Sequence, residues 1–206
     1  MIDELLKFFV LFFVIVEPVT LVPVFAGLTE GASQTFRRRM AVKSVTVSGV
    51  MLTLFALGGS WFIGIMNISI DAFRIAGGVM LFLIALEMVF ARESGTKTTS
   101  EEKTEVQQRS DISVFPLAFP FIAGPGAMAT VLLTFGTLRP DTVLMLGLLG
   151  VIAIVLLMTL VLMLLAQTVM RVMGVTGAHV VSRLTGVVLA ALAVQFMIDG
   201  LKGAFG

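Results

Sequence analysis

The chain contains no cysteine and a single histidine, His179, in 206 residues. Disulfides, thiolate metal sites and thiol catalysis are excluded, and one imidazole cannot build a multi-histidine metal centre. Charge is scarce too: 13% of residues are charged, 14 basic and 13 acidic, for a net of +1. A balance this even gives no broad basic field, so no nucleic-acid partner is expected. No Gly-x4-Gly-Lys-Ser/Thr loop is present to hold ATP. The nucleophile–base pairs and paired carboxylates of a hydrolase are missing at membrane depth as well, so neither an enzyme nor a cofactor is expected.

What the chain has is apolar length: 58% of residues are hydrophobic and the mean hydropathy is +1.07. A soluble domain carries roughly 45–50% apolar residues and about twice this charge. Apolar windows of spanning length fall at Leu5 to Leu28, Met40 to Met66, Ala72 to Ala91, Ser113 to Leu138, Val143 to Thr168 and Ala178 to Leu201. At about 20 residues per span they predict an all-α polytopic membrane protein with six transmembrane helices. Asp3 and Glu4 precede the first apolar run where a signal peptide would be basic, so that run reads as a retained span. The strip from Arg92 to Asp111 mixes Lys, Glu, Thr, Ser and Gln without apolar period and reads as a flexible tether. It divides the chain into a first three-helix unit, 1–91, a polar linker, 92–112, and a second unit, 113–206.

Loops one, three and five carry ten basic residues, Arg37, Arg38, Arg39, Lys43, Arg92, Lys97, Lys103, Arg109, Arg171 and Arg183, whereas the other side has four, Lys7, Arg74, Arg139 and Lys202. The preference of basic residues for the inner side puts the odd loops in the cytoplasm and both termini outside the inner membrane. Two internal matches cross the tether. Pro18-Val-Thr-Leu-Val-Pro23 in the first helix pairs with Pro120-Phe-Ile-Ala-Gly-Pro125 in the fourth, and Arg74-Ile-Ala-Gly77 in the third pairs with Arg183-Leu-Thr-Gly186 in the sixth. Three spans per repeat is an odd number, so the repeats must lie upside down relative to one another, as in many secondary transporters. Each proline removes a backbone donor and clashes with the preceding turn, so helices 1 and 4 are expected to break near mid-membrane. Opened backbone at that depth must be buried in protein or line a cavity.

Pro116-Leu-Ala-Phe-Pro120-Phe-Ile-Ala-Gly-Pro125-Gly-Ala127, the Pro18 to Phe25 segment and the Arg-Ile-Ala-Gly-Gly run from Arg74 together resemble the MarC family of six-helix inner-membrane proteins. The resemblance covers most of the chain and implies a membrane protein classed with neutral amino-acid transporters. The family pattern Asn-Pro-x-Gly in the first helix is replaced here by Glu17-Pro18-Val19-Thr20.

The expected function is therefore an ion-coupled secondary transporter of small neutral amino acids working by alternating access. A channel or exporter for another small metabolite, or a non-transporting scaffold, is the alternative. Glu17 sits near the centre of the first span, where an ionised side chain costs roughly 2.5–3.5 kcal/mol facing lipid, so it is expected to face a cavity. There it can carry a proton or ligate Na+, the two candidate coupling ions; satisfying its own helix break is the competing role. Glu17, Pro18, Thr20 and Pro23 at one break, with Ala123, Gly124, Pro125, Gly126 and Thr130 at the other, form the expected substrate site. The substrate carboxylate would take half-helix N–H groups near Gly124 to Ala127. Thr130 and Thr134, four apart, share a helix face. Arg74 and Arg183, in matched positions, are expected to be structural or gating residues, and Gln195 an interhelical partner. Trp61 and His179 read as interface residues. Gly186 and Ala190 form a small-residue face suited to packing within the chain or to a homo-oligomer, and no metal site is expected.

Overall fold

The computed structural model describes residues 1–29, 31–90, 111–138 and 140–205, and every regular element among them is helical. The expected linker lies outside the described residues except for Asp111 and Ile112, as does the side chain of His179. In chain order the elements are α1 (Ile2–Val16), α2 (Pro18–Leu28), α3 (Gln34–Ile65), α4 (Ile70–Phe90), an irregular helical segment (Ser113–Ile122), α5 (Pro125–Leu138), α6 (Thr142–Leu164) and α7 (Ala166–Phe205). Among the described residues five helices are long and apolar enough to cross a membrane, with Ile2–Leu28 as one span; Ser113–Ile122 and α5, bent by 56°, make a sixth if they are taken as one.

Two helix starts differ from the apolar windows for a local reason. Ser33 caps α3, its Oγ accepting the Phe36 N–H at 3.2 Å, so the helix begins at Gln34 and Arg37, Arg38, Arg39 and Lys43 ride on its first turns instead of forming a loop. Arg171 likewise lies within α7, which starts directly after Leu165 and departs from helical geometry at Gly174 (φ 65°, ψ 174°). A positive φ of that kind is open to glycine at little steric penalty.

The packing has a regular scheme. The first span lies against the fifth and sixth, the fourth against the second and third, the second against the fifth, the third against the sixth, and the first also touches the fourth. A main core runs through α1, α2, α3, the Ser113–Ile122 segment, α5 and α6, with Phe12, Leu52, Leu117, Ile122 and Leu148 fully buried. A second core, around Leu81, Ala85, Leu189 and Ala193, joins α4 to α7.

These last two helices approach almost backbone to backbone. A Cβ on Gly78 would stand 2.8 Å from the Ala193 carbonyl, one on Gly186 2.8 Å from Met88 Cβ, and one on Gly200 2.9 Å from the Asp71 carbonyl. Sequence position rises on one helix as it falls on the other, so α4 and α7 run antiparallel, and the Gly186 face packs within the chain. The outward faces carry Leu54, Leu57, Leu146, Ile154, Leu157, Leu184 and Val187, all exposed. Exposed aliphatic surface of this extent suits hydrocarbon contact. Trp61 is exposed on the same outer surface, in the last two turns of α3.

Candidate functional site

Pro18 has no N–H to give the carbonyl of Val14, so α1 stops and the chain turns. The turn is made by Glu17, in the left-handed region at φ 53° and ψ 58°, with α2 starting at once on Pro18. A non-glycine residue there stores strain of about 1–2 kcal/mol. Its backbone is well paired: Glu17 N–H donates to the Phe13 carbonyl at 2.9 Å, and the Glu17 carbonyl accepts from the N–H groups of Thr20 and Leu21 at 3.2 and 3.3 Å. The side chain is 7% exposed, and the Thr20 hydroxyl donates to its Oε1. Glu17 and Thr20 thus form one polar unit at the interruption. Such a unit presents a carboxylate in apolar surroundings, which suits a proton or a small cation.

The other interruption is longer than a proline pair. Phe115 and Phe119 precede prolines and are extended, at φ −125°, ψ 127° and φ −127°, ψ 130°, because a following proline ring disfavours helical backbone. Both Phe–Pro peptide bonds are cis. Between them the chain makes wide turns, with the N–H of Leu117 reaching the Ile112 carbonyl at 3.4 Å and that of Ala123 the Ala118 carbonyl at 2.8 Å. The helix is therefore already irregular eight residues before the Gly-Pro-Gly motif. Ser48 on α3 supports the segment: its Oγ donates to the Ser44 carbonyl at 2.8 Å and, at a longer 3.4 Å, to that of Ala118. Sequence reasoning passed over Ser44 and Ser48. Their spacing of four, continued by Leu52 and Ala56, marks the buried face of α3 and was the available signal.

Regular helix resumes at Pro125, with the Gly124 carbonyl accepting from the Met128 N–H at 3.0 Å. Proline at a helix start wastes no donor. Gly124 is required sterically, since a Cβ there would fall on the Pro120 carbonyl oxygen, whereas one on Gly126 would meet the movable Leu81 Cδ2 and stand 3.6 Å from Ile15 Cγ2. Ile15 lies two residues before Glu17, so the end of α1 comes close to the second interruption. A crevice of about 20 Å³ lies between Ile15, Leu81, Ile84 and Leu189 on one side and Gly124 and Gly126 on the other, room for about one water; Glu17, Pro18 and Thr20 are not among the residues that line it.

Of the other expected residues, Thr130 is fully buried, and its hydroxyl has no hydrogen-bond partner among the described residues. Thr29 and Thr159, equally buried, donate to carbonyls one turn back, as threonines in membrane helices usually do. Ala123 is fully buried beside the crevice residues. Pro23 lies elsewhere, in a larger cavity toward the α2–α3 turn. Arg74 pairs with Asp71 at 3.0 Å and donates to Thr137 Oγ1 at 3.0 Å and to the Asp199 carbonyl at 3.4 Å, tying α4 to α5 and α7. Arg183, its match by sequence, is exposed and makes no hydrogen bond or ion pair among the described residues. Gln195 donates to Asp199 Oδ1 at 2.8 Å along its own helix.

At the membrane edge, Asp111 pairs with Lys43 of α3 and accepts from Ser113 N–H at 3.0 Å and Ser113 Oγ at 2.5 Å. The Lys43 ammonium, then the Ser113 bonds, hold its carboxyl well below the ordinary carboxylate range. A lowered folded-state pKa stabilises fully above the unfolded value, about 4, and the contribution fades as pH falls below it. Thermal midpoints of wild type and Asp111→Asn are therefore expected to differ at neutral pH and to converge as the solution is acidified below about pH 4. A pH-independent gap would remove this ion pair from the stability account.

Irregular backbone buried inside an apolar, lipid-facing helical bundle defines a polytopic integral membrane protein, a class that tolerates such backbone only where protein surrounds it. The chain belongs to the MarC family: the model for "MarC family integral membrane protein" matches residues 2–205. Relatives include a UPF0056 membrane protein of Pyrococcus abyssi, 35% identical over all of both chains. YhcE of Escherichia coli is 33% identical, covering 97% of this chain and 92% of its own, and YvbG of Bacillus subtilis is 34% identical, covering 96% and 93%. No solved structure matches.

Proposed function

We propose that the chain is a secondary transporter of small neutral amino acids, driven by Na+ or H+ and working by alternating access, with substrate held where the two interrupted spans meet. The shared crevice carries the reading: Ile15, two residues before the Glu17–Thr20 unit, lines it together with Gly124 and Gly126 at the start of α5. A zwitterion needs both kinds of group: N–H donors at a helix start for its carboxylate, and a carboxylate with carbonyls for its ammonium. Thr130, one turn into α5 with a hydroxyl that has no partner among the described residues, adds a donor and acceptor.

The packing scheme supports the 3+3 inverted repeat. Exchanging spans one, two and three with four, five and six maps the main set of contacts onto itself, and α4 and α7, third in each half, run antiparallel. A two-fold axis in the membrane plane has both consequences. The crevice at the meeting point is too small for an amino acid, which fits an occluded conformation that must open to one side at a time. A permanently open channel would need a wider path there. In this reading the protein sits in the inner membrane with both termini outside, Arg74 latches the outer ends of three spans, and neither a catalytic residue nor a cofactor beyond the coupling ion is required.

Counterflow tests the function directly. Proteoliposomes loaded with unlabelled alanine, glycine or serine are expected to accumulate the labelled amino acid transiently and saturably, and an inward Na+ or H+ gradient to raise the uptake. Conductance without counterflow would favour the channel, and neither would leave the scaffold.

A further inference from the structure

At the α2–α3 turn a cavity of about 1140 Å³ has an apolar wall, including Phe25, Met163 and Leu164, and a rim bearing Arg37, Arg38 and Arg171. That volume is somewhat above the roughly 300–1,000 Å³ of small-molecule pockets. No carboxylate lines it among the described residues; Glu30, between Thr29 and Gly31 in sequence, lies outside them. Arg37 is anchored, its Nε donating to the Thr29 carbonyl at the end of α2 at 3.2 Å, and its Nη groups have no acceptor among the described residues. Arg38 also lines an adjoining groove with Arg39 and with Lys43, the last paired with Asp111, so positive charge continues from the cavity to Arg39 on the first turns of α3.

We propose that this cavity is a phosphate-binding site, occupied by the headgroup of an anionic phospholipid whose chains lie on the apolar wall. Guanidinium forks match phosphate oxygens in pairs, and an apolar wall beneath a cationic rim is complementary to an amphiphile with an anionic head. Basic pockets between helices at the membrane surface take headgroups by this means. The start of α3, a 32-residue helix, adds its positive end to the same rim. The site is separate from the crevice at Gly124 and Gly126 and does not depend on what is transported.

The test uses the full chain purified in a neutral detergent and titrated with phosphatidylglycerol, with phosphatidylcholine of the same chains, and with inorganic phosphate, read by native mass spectrometry and thermal shift. Phosphatidylglycerol is expected to bind and stabilise, phosphatidylcholine to do neither. Arg38→Gln with Arg171→Gln, which spares the anchored Arg37, is expected to weaken phosphatidylglycerol binding about thirtyfold. Arg183→Gln, on α7 but outside the cavity lining, is expected to change nothing. An equal, saturable shift with inorganic phosphate that the double variant loses would support the site and name soluble phosphate as its ligand. Equal binding of the two lipids, or full binding by the double variant, would overturn the proposal. If the double variant does not fold, the comparison of the two lipids on the wild-type chain decides.

Discussion

Glu17→Gln is expected to reduce ion-driven uptake roughly hundredfold, the scale on which a buried ion loses its counter-charge, while exchange of substrate without a gradient persists. The substitution is mild for the fold. Gln keeps a side-chain oxygen to accept from the Thr20 hydroxyl, and the backbone bonds to Phe13, Thr20 and Leu21 do not involve the side chain. Thermal stability is thus expected to move by no more than about 1 kcal/mol. Only the ability to bear a charge, and so to release a proton or ligate a cation, is removed. Uptake and exchange lost together would make Glu17 a substrate ligand, whereas coupled uptake at the wild-type rate would take it out of the mechanism.

Gly124→Ala is expected to be the most damaging single methyl addition among the described glycines. The added carbon would fall on the Pro120 carbonyl oxygen, a backbone atom of the Ser113–Ile122 segment, and not on the movable end of a side chain. Overpacking that only a backbone shift can relieve costs about 3 kcal/mol or more. Gly126→Ala meets Leu81 Cδ2, which can rotate aside, and should cost less. Gly150→Ala in α6 meets nothing within 4 Å and is expected to stabilise by up to about 1 kcal/mol through helix propensity. Unfolding midpoints in detergent give the order directly. A Gly124 variant as stable as the Gly150 variant would show that the tight turn before α5 is dispensable.

The spans were legible because apolar windows of bilayer length are written continuously in sequence, and a missing proline N–H has the same effect wherever it occurs. Helix ends were less so. Arg37 to Lys43 look like loop residues by charge, but Ser33 supplies the cap that starts the helix before them. The irregular turns from Phe115 onward were hidden because the matched pair Pro120 and Pro125 placed the break, whereas Pro116, one turn earlier, has no counterpart in the first helix and entered only as part of the family motif. Residue type also failed to separate Arg74 from Arg183: one finds Asp71 and Thr137 on its own and a neighbouring helix, the other finds no partner among the described residues, and that difference lies in packing. The large basic cavity joins residues about 130 positions apart, and each of its arginines looked, one at a time, like an ordinary inner-side charge.

The length of α3 has a consequence for the membrane the protein inhabits. Its 32 residues span about 48 Å, well beyond a hydrocarbon core of about 30 Å, and only the stretch between Lys43 and Trp61, about 27 Å, is bounded by residues that prefer the interface. That stretch works as a ruler that sets the depth of the helix. Through the ion pair of Lys43 with Asp111 the same ruler sets the depth at which the Ser113–Ile122 segment enters the bilayer. Hydrophobic thickness therefore acts on the interrupted span as a mechanical load: a thicker or thinner membrane must tilt α3, strain that ion pair, or shift the irregular turns that lead to Gly124.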